Sequence, residues 1–217
     1  MPSKADTKQA ITIEPYNEEV LTFSIVGTSP YVQHRFPEKA KHQMKAKMEA
    51  GSTAAKGKKR PPRDFDSDYE AAQHVSTEGW RGIPAAGFRN AMIDACRMAG
   101  FQMTRARMSI FVEADGLDRE DMTPLVRIEG EPERLEHIVR MQQTTDIRVR
   151  PGWAEWGCEL RIAYDADQFT SEDVANLLTR AGRQVGIGEG RPFSKSSNGM
   201  GWGTFRLVFA DEKAEAA

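Results

Sequence analysis

Seven of the chain's eighteen glycines fall between residues 182 and 203, between a helix signal and a strand signal. The helix is expected over 170–181. Thr170 is an N-cap with Asp173 three residues on, Phe169 and Val174 form a hydrophobic staple, and Val174, Leu177, Leu178 and Ala181 make one apolar stripe. Gly182 is expected to stop it, and residues 204–209 read as a strand. Glycine serves where backbone turns with positive φ or approaches a neighbour closely. With Arg183, Arg191 and Lys195 in the same stretch, the spacing predicts that backbone at Gly186, Gly188 and Gly190 lies against a polyanion. A hairpin loop without a ligand is the alternative. The order helix, glycines, strand is the reverse of a phosphate-binding strand–turn–helix, and no Gly-Lys-Ser/Thr ending occurs, which excludes ATPase and dinucleotide readings.

The remaining punctuation yields few elements. Residues 20–27 alternate as a strand that Ser29 and Pro30 end. Pro84 suits the first position of a helix whose apolar positions are Ala85, Phe88, Met92, Ala95, Cys96 and Ala99, with Gly100 closing it. Short strands are expected over 108–112 and 125–129. A long strand over 139–149 is expected to pair with 157–164 across Pro151 and Gly152. Residues 1–10 and 210–217 read as tails, 11–209 as one domain and 34–78 as an insertion. Without the insertion the order is βαββαβ, an α+β domain with an open antiparallel sheet and two helices on one face.

Charge is unevenly placed. Between Arg35 and Arg63 stand ten basic residues against Glu38 and Glu49, giving this segment +8 in a chain of net charge −2, so the remainder carries −10. Such a segment suits a phosphate-tracking arm, through Arg35, Lys39, Lys45, Lys58, Lys59 and Arg60, or docking on an acidic neighbour. The chain contains no apolar run long enough to span a membrane and no signal-peptide pattern at its start, so a cytoplasmic, membrane-free protein is expected. Cys96 and Cys158 are expected as buried thiols, and no Cys/His spacing for zinc occurs.

Two segments resemble a family. Residues 80–93, Trp-Arg-Gly-Ile-Pro-Ala-Ala-Gly-Phe-Arg-Asn-Ala-Met-Ile, look like the entrance to the first helix in the RAMP superfamily, the CRISPR-associated RNA-binding proteins. The loop 182–203 is similar to that family's C-terminal glycine-rich loop. The resemblance implies a ferredoxin-like, RRM-like fold, binding of single-stranded RNA or DNA, and several copies along one strand, as a homo-oligomer or filament. Residues 32–41 also resemble a segment of bacteriophage proteins, which implies no mechanism.

The expected function is therefore a non-enzymatic, largely sequence-independent single-stranded nucleic-acid binder without a cofactor or metal. Arg89 at the first helix is expected to add a phosphate contact. Arg148 and Arg150, with Trp153 and Trp156, suit phosphate contact and stacking, or core packing with arginine–glutamate pairs. Trp202 is a stacking platform or an anchor for the loop. The sheet lacks an aromatic RNP signature. Two rivals remain: a metal-independent endoribonuclease in which His34 is the base, and a bacteriophage structural protein. Asp64, Asp66 and Asp68, and Asp165 and Asp167, read as turn chemistry rather than a metal site.

Overall fold

A computed structural model describes residues 13–36, 42, 45, 46, 63–141, 144–195 and 197–208, with 139–141 and 144–145 described by their backbone alone. Both expected tails lie outside the described residues, as do Lys39, Lys58, Lys59 and Arg60.

The described chain is α+β, with three antiparallel sheets and four α-helices. The largest sheet contains β1 (Glu18–Gly27), β4 (Ile110–Val112), β9 (Gly157–Asp165) and β10 (Phe205–Leu207), in the order β10-β1-β9-β4. A second joins β2 (Tyr31–Val32), β8 (Thr144–Trp153) and β7 (Glu133–Met141) in the order β2-β8-β7. A third is β3 (Gly82–Pro84), β6 (Pro124–Arg127) and β5 (Gly116–Leu117), in the order β3-β6-β5. The helices are α1 (Phe65–Ala71), α2 (Ala85–Ala99), α3 (Met103–Ser109) and α4 (Ser171–Arg180).

Alternation along β1 and β9 decides which face is covered. The cross-strand pairs Phe23–Leu160, Leu21–Ile162 and Ile25–Cys158 face the core, where they share one cluster with Phe88 and Met92 of α2 and Leu178 of α4. Phe88 meets Phe205 of β10 edge-on, with ring centroids 5.8 Å apart. The pairs Thr22–Arg161 and Ser24–Glu159 face the other way. There Arg161 binds Glu113 and Asp115, so that face presents no aromatic platform at this pair.

Several elements differ from the sequence expectation. Pro84 is the N-cap of α2 rather than its first residue, while Gly100 closes the helix as expected, at φ +71° with its N–H donating to the Cys96 carbonyl. Residues 103–109 are helical where a strand start was expected at 108. Helix formers such as Ala106 and the arginines support this short turn, and Arg89 holds its end by donating to the carbonyls of Arg107 and Ile110. The long strand is the hairpin β7–β8, and residues 157–164 pair with β1 and β4 instead of β8. The reason is length: β7 and β8 already satisfy each other over nine residue pairs, and β9 completes the ladder of β1.

The capping box of α4 is present, with Thr170 accepting from the Asp173 N–H and Asp173 reaching back to the Thr170 N–H. Gly182 does not stop the helix. The backbone continues as a wider π-turn over Ala181–Val185 and stops at Gly186, at φ +71°. Gly182 is required because a Cβ there would lie 2.3 Å from the Phe205 carbonyl oxygen. The C-terminal part of the expected insertion is folded in: Asp64 caps α1, and Ala72, Gln73, His74 and Ser76 are buried.

Candidate nucleic-acid interface

The glycine loop folds back on the strand exit after β1. Glu189 N–H donates to the Val32 carbonyl at 2.9 Å, Gly203 N–H to the Pro30 carbonyl at 2.8 Å, and Ile187 N–H to the Gly203 carbonyl at 3.0 Å. This fold-back uses the glycines. A Cβ at Gly186 would stand 2.7 Å from Pro192 Cδ, one at Gly188 2.5 Å from the Val32 carbonyl oxygen, and one at Gly190 2.6 Å from the Trp202 ring. The close approaches expected toward a ligand are thus approaches to the protein itself. Gly199 and Gly201 have no neighbour in the way of a Cβ and face open space.

The folded loop forms one wall of a cleft of about 490 Å³. Gly188, Glu189, Gly190 and Arg191 line that wall, and Arg148 of β8 projects beside them. The end of β3 and the start of α2 also line the cleft, through Ile83, Pro84 and Gly87, as do His34 and His74. The first turn of α2 contains no acidic residue, and Pro84 offers it no side-chain cap, so the helix itself supplies nothing that offsets the positive end of its dipole.

Glu189 gathers the basic groups. Arg150 Nε donates to its Oε2 at 2.7 Å and Arg148 Nη1 to its Oε1 at 3.2 Å. His34 Nδ1 and His137 Nε2 each stand 3.8 Å away. Burial pushes the Glu189 carboxyl up, but the Arg150 bond and charge, with the histidines, outweigh it, and the group titrates below the ordinary carboxylate range. Burial lowers the pKa of His34, with Arg150 adding to the effect, and burial also lowers that of His137. Both rings are therefore neutral near pH 7.

A second cluster holds His74. His74 Nδ1 lies 2.8 Å from Asp118 Oδ2, and Asp118 Oδ1 accepts the Glu120 N–H at 2.8 Å. Arg35 Nη1 donates to Glu120 at 2.8 Å, and its other nitrogens stand 3.6 Å from Asp118 and Asp121. Gln33 ties this cluster to the fold, donating to the Gly82 carbonyl and Tyr31 Oη and accepting the His74 N–H. His74, Asp118 and Asp121 bring metal-ligand atoms within 4.8 Å of one another. The Arg35 guanidinium already supplies positive charge to both carboxylates there.

The expected site residues thus separate into groups. Arg148, Arg191, Gly188 and Gly190 meet at the cleft with His34, and Arg191 Nη1 donates to the Gly188 carbonyl at 3.1 Å. Arg150 is buried behind them against Glu189, and Gly186 is buried. Arg35 is 3% exposed and bound to carboxylates, so it belongs to the interior rather than to an arm. Arg89 is spent on carbonyls and lies over the Phe111 ring, away from the cleft lining. Arg183 and Lys195 are exposed outside that lining, and Lys45, itself helical, is exposed.

Trp153 and Trp156 are core residues, donating to the Gly130 and Ser29 carbonyls. Trp202 packs over Gly190 and meets His137 edge-on, which makes it an anchor. Glu189, His74 and Asp118 were not singled out from the sequence. A carboxylate between two glycines of a basic loop was the available signal for Glu189. His74 and Asp118 are 44 residues apart, and only the fold joins them.

No protein-family model and no curated protein matches the chain. Among the described residues, no helix is long and apolar enough to cross a membrane.

Proposed function

We propose that the chain is a single-stranded nucleic-acid-binding protein that grips the sugar–phosphate backbone in this cleft. The supporting observation is the convergence of Arg148, Arg191 and the uncapped start of α2 on one open groove. Guanidinium forks and helix N-termini both recognise phosphate oxygens. Such contacts position a strand without reading its bases, so sequence preference is weak. Several copies along one strand, and RAMP-superfamily membership, are part of the same proposal. Its fold component is a ferredoxin-like core of β1, α2, β4, β9, α4 and β10. The chain order βαββαβ and the antiparallel strand order β10-β1-β9-β4 support it.

The test is filter binding of single-stranded RNA, single-stranded DNA and duplex across a salt series. The proposal expects single strands bound over duplex, with affinity falling as salt rises. Equal failure of all three to bind removes it.

A second reading, a metal-independent endoribonuclease, draws on His34 and His74 lining the same cleft. A neutral His34 suits a base for a ribose 2′-hydroxyl, and Asp118 fixes the orientation of the His74 ring. RNA incubated with the protein in EDTA decides between them: cleavage lost in His34→Ala favours the enzyme, and intact RNA favours the binder.

A further inference from the structure

We propose that Glu189 is the specificity-determining residue of the cleft: an internal stand-in for phosphate that holds Arg150 permanently and yields Arg148 to one phosphodiester. This rests on the nucleic-acid reading above and names how that site is tuned. Arg148 and Arg150 are two residues apart on β8, so both reach the same side of the strand. Each oxygen of one carboxylate takes one of them, the arrangement two guanidinium groups make around two phosphate oxygens.

The two arginines are not equivalent. The Arg150 side chain is 7% exposed, its Nε contact is 2.7 Å, and it also donates to the Val149 carbonyl. The Arg148 side chain is 26% exposed, its contact is longer at 3.2 Å, and it lines the cleft. Arg148 is therefore the member able to exchange partners. Glu189 offsets one of the three guanidinium charges that Arg148, Arg150 and Arg191 bring to the cleft and its wall. Glu189 thus limits what the cleft attracts, and its own carboxylate competes with each incoming anion.

Binding of a single-stranded oligonucleotide to wild type, Glu189→Gln and Glu189→Asp at fixed salt tests this. Glu189→Gln keeps an acceptor for Arg150 and removes the competing charge. Affinity is expected to rise about tenfold, the order of one charge-assisted hydrogen bond. A folded Glu189→Gln protein with unchanged or weaker binding, while wild type binds, overturns this inference alone. If Glu189→Gln folds poorly, Glu189→Asp, with the carboxylate drawn back by one methylene, is expected to gain about threefold, and no gain overturns it. Absence of binding in wild type and variants overturns both this inference and the nucleic-acid reading.

Discussion

Arg150 Nε donates to Glu189 Oε2 over 2.7 Å, with 7% and 14% of the two side chains exposed. That contact fixes the glycine loop to the β7–β8 hairpin and sets the charge of the cleft. Arg150→Ala leaves the half-buried Glu189 without its closer partner, with Arg148 still paired to it. A stability loss of about 1–3 kcal/mol is expected, the order of one hydrogen bond to a charged group. Urea unfolding measures it.

The fold-back of the loop requires glycine at 188, where φ is +78° and a Cβ would stand 2.5 Å from the Val32 carbonyl oxygen. Gly188→Ala is expected to cost more than 2 kcal/mol, combining left-handed strain with the clash (roughly 1–3 kcal/mol for the strain alone). Gly199, also at positive φ, faces open space. Gly199→Ala is expected to cost only about 1 kcal/mol. Thermal unfolding of the two variants checks the difference.

Elements with local punctuation were legible in the sequence. The capping box of α4, the Gly100 stop of α2 and the β1 alternation depend on residues a few positions apart. Strand partners were not legible. Periodicity marks residues 157–164 as a strand but does not say that β1, more than a hundred residues earlier, is the neighbour. The candidate site was half legible for the same reason. Arg148 and Arg191 were named by residue type and line the cleft, whereas the carboxylates that claim Arg35 and Arg150 come from distant segments. Basic residues seen only in sequence look free, and folding shows which have been neutralised.

Arg89 separates a structural role from a binding one. Its guanidinium holds the carbonyls at the end of α3 and lies over Phe111. Arg89→Ala is expected to lower stability by about 1–3 kcal/mol, since buried or half-buried carbonyls lose their donors. Affinity for single-stranded oligonucleotide is expected to stay unchanged. Unfolding and filter binding on the same preparation check both halves.

Acidification is expected to destabilise the free protein. His34 and His137 titrate below the ordinary value of 6.5, through burial and then the nearby arginines, with Glu189 opposing. The unfolded chain thus binds more protons than the folded one, so this contribution is complete above about pH 6.5 and is lost as pH falls through the folded values. A bound strand reverses part of the effect, because phosphate favours the protonated imidazoles. Calorimetric melting from pH 7.5 to 5.5 is expected to show a falling midpoint, with a smaller fall in the presence of oligonucleotide.

The central claim is that the cleft binds phosphate through Arg148 and Arg191, and the slope of log affinity against log salt tests it most directly. For single-stranded oligonucleotide, the double variant Arg148→Gln, Arg191→Gln is expected to bind more weakly at low salt, with a slope shallower by about 1.4, two phosphate contacts at about 0.7 each. A folded double variant with wild-type affinity and slope contradicts the claim.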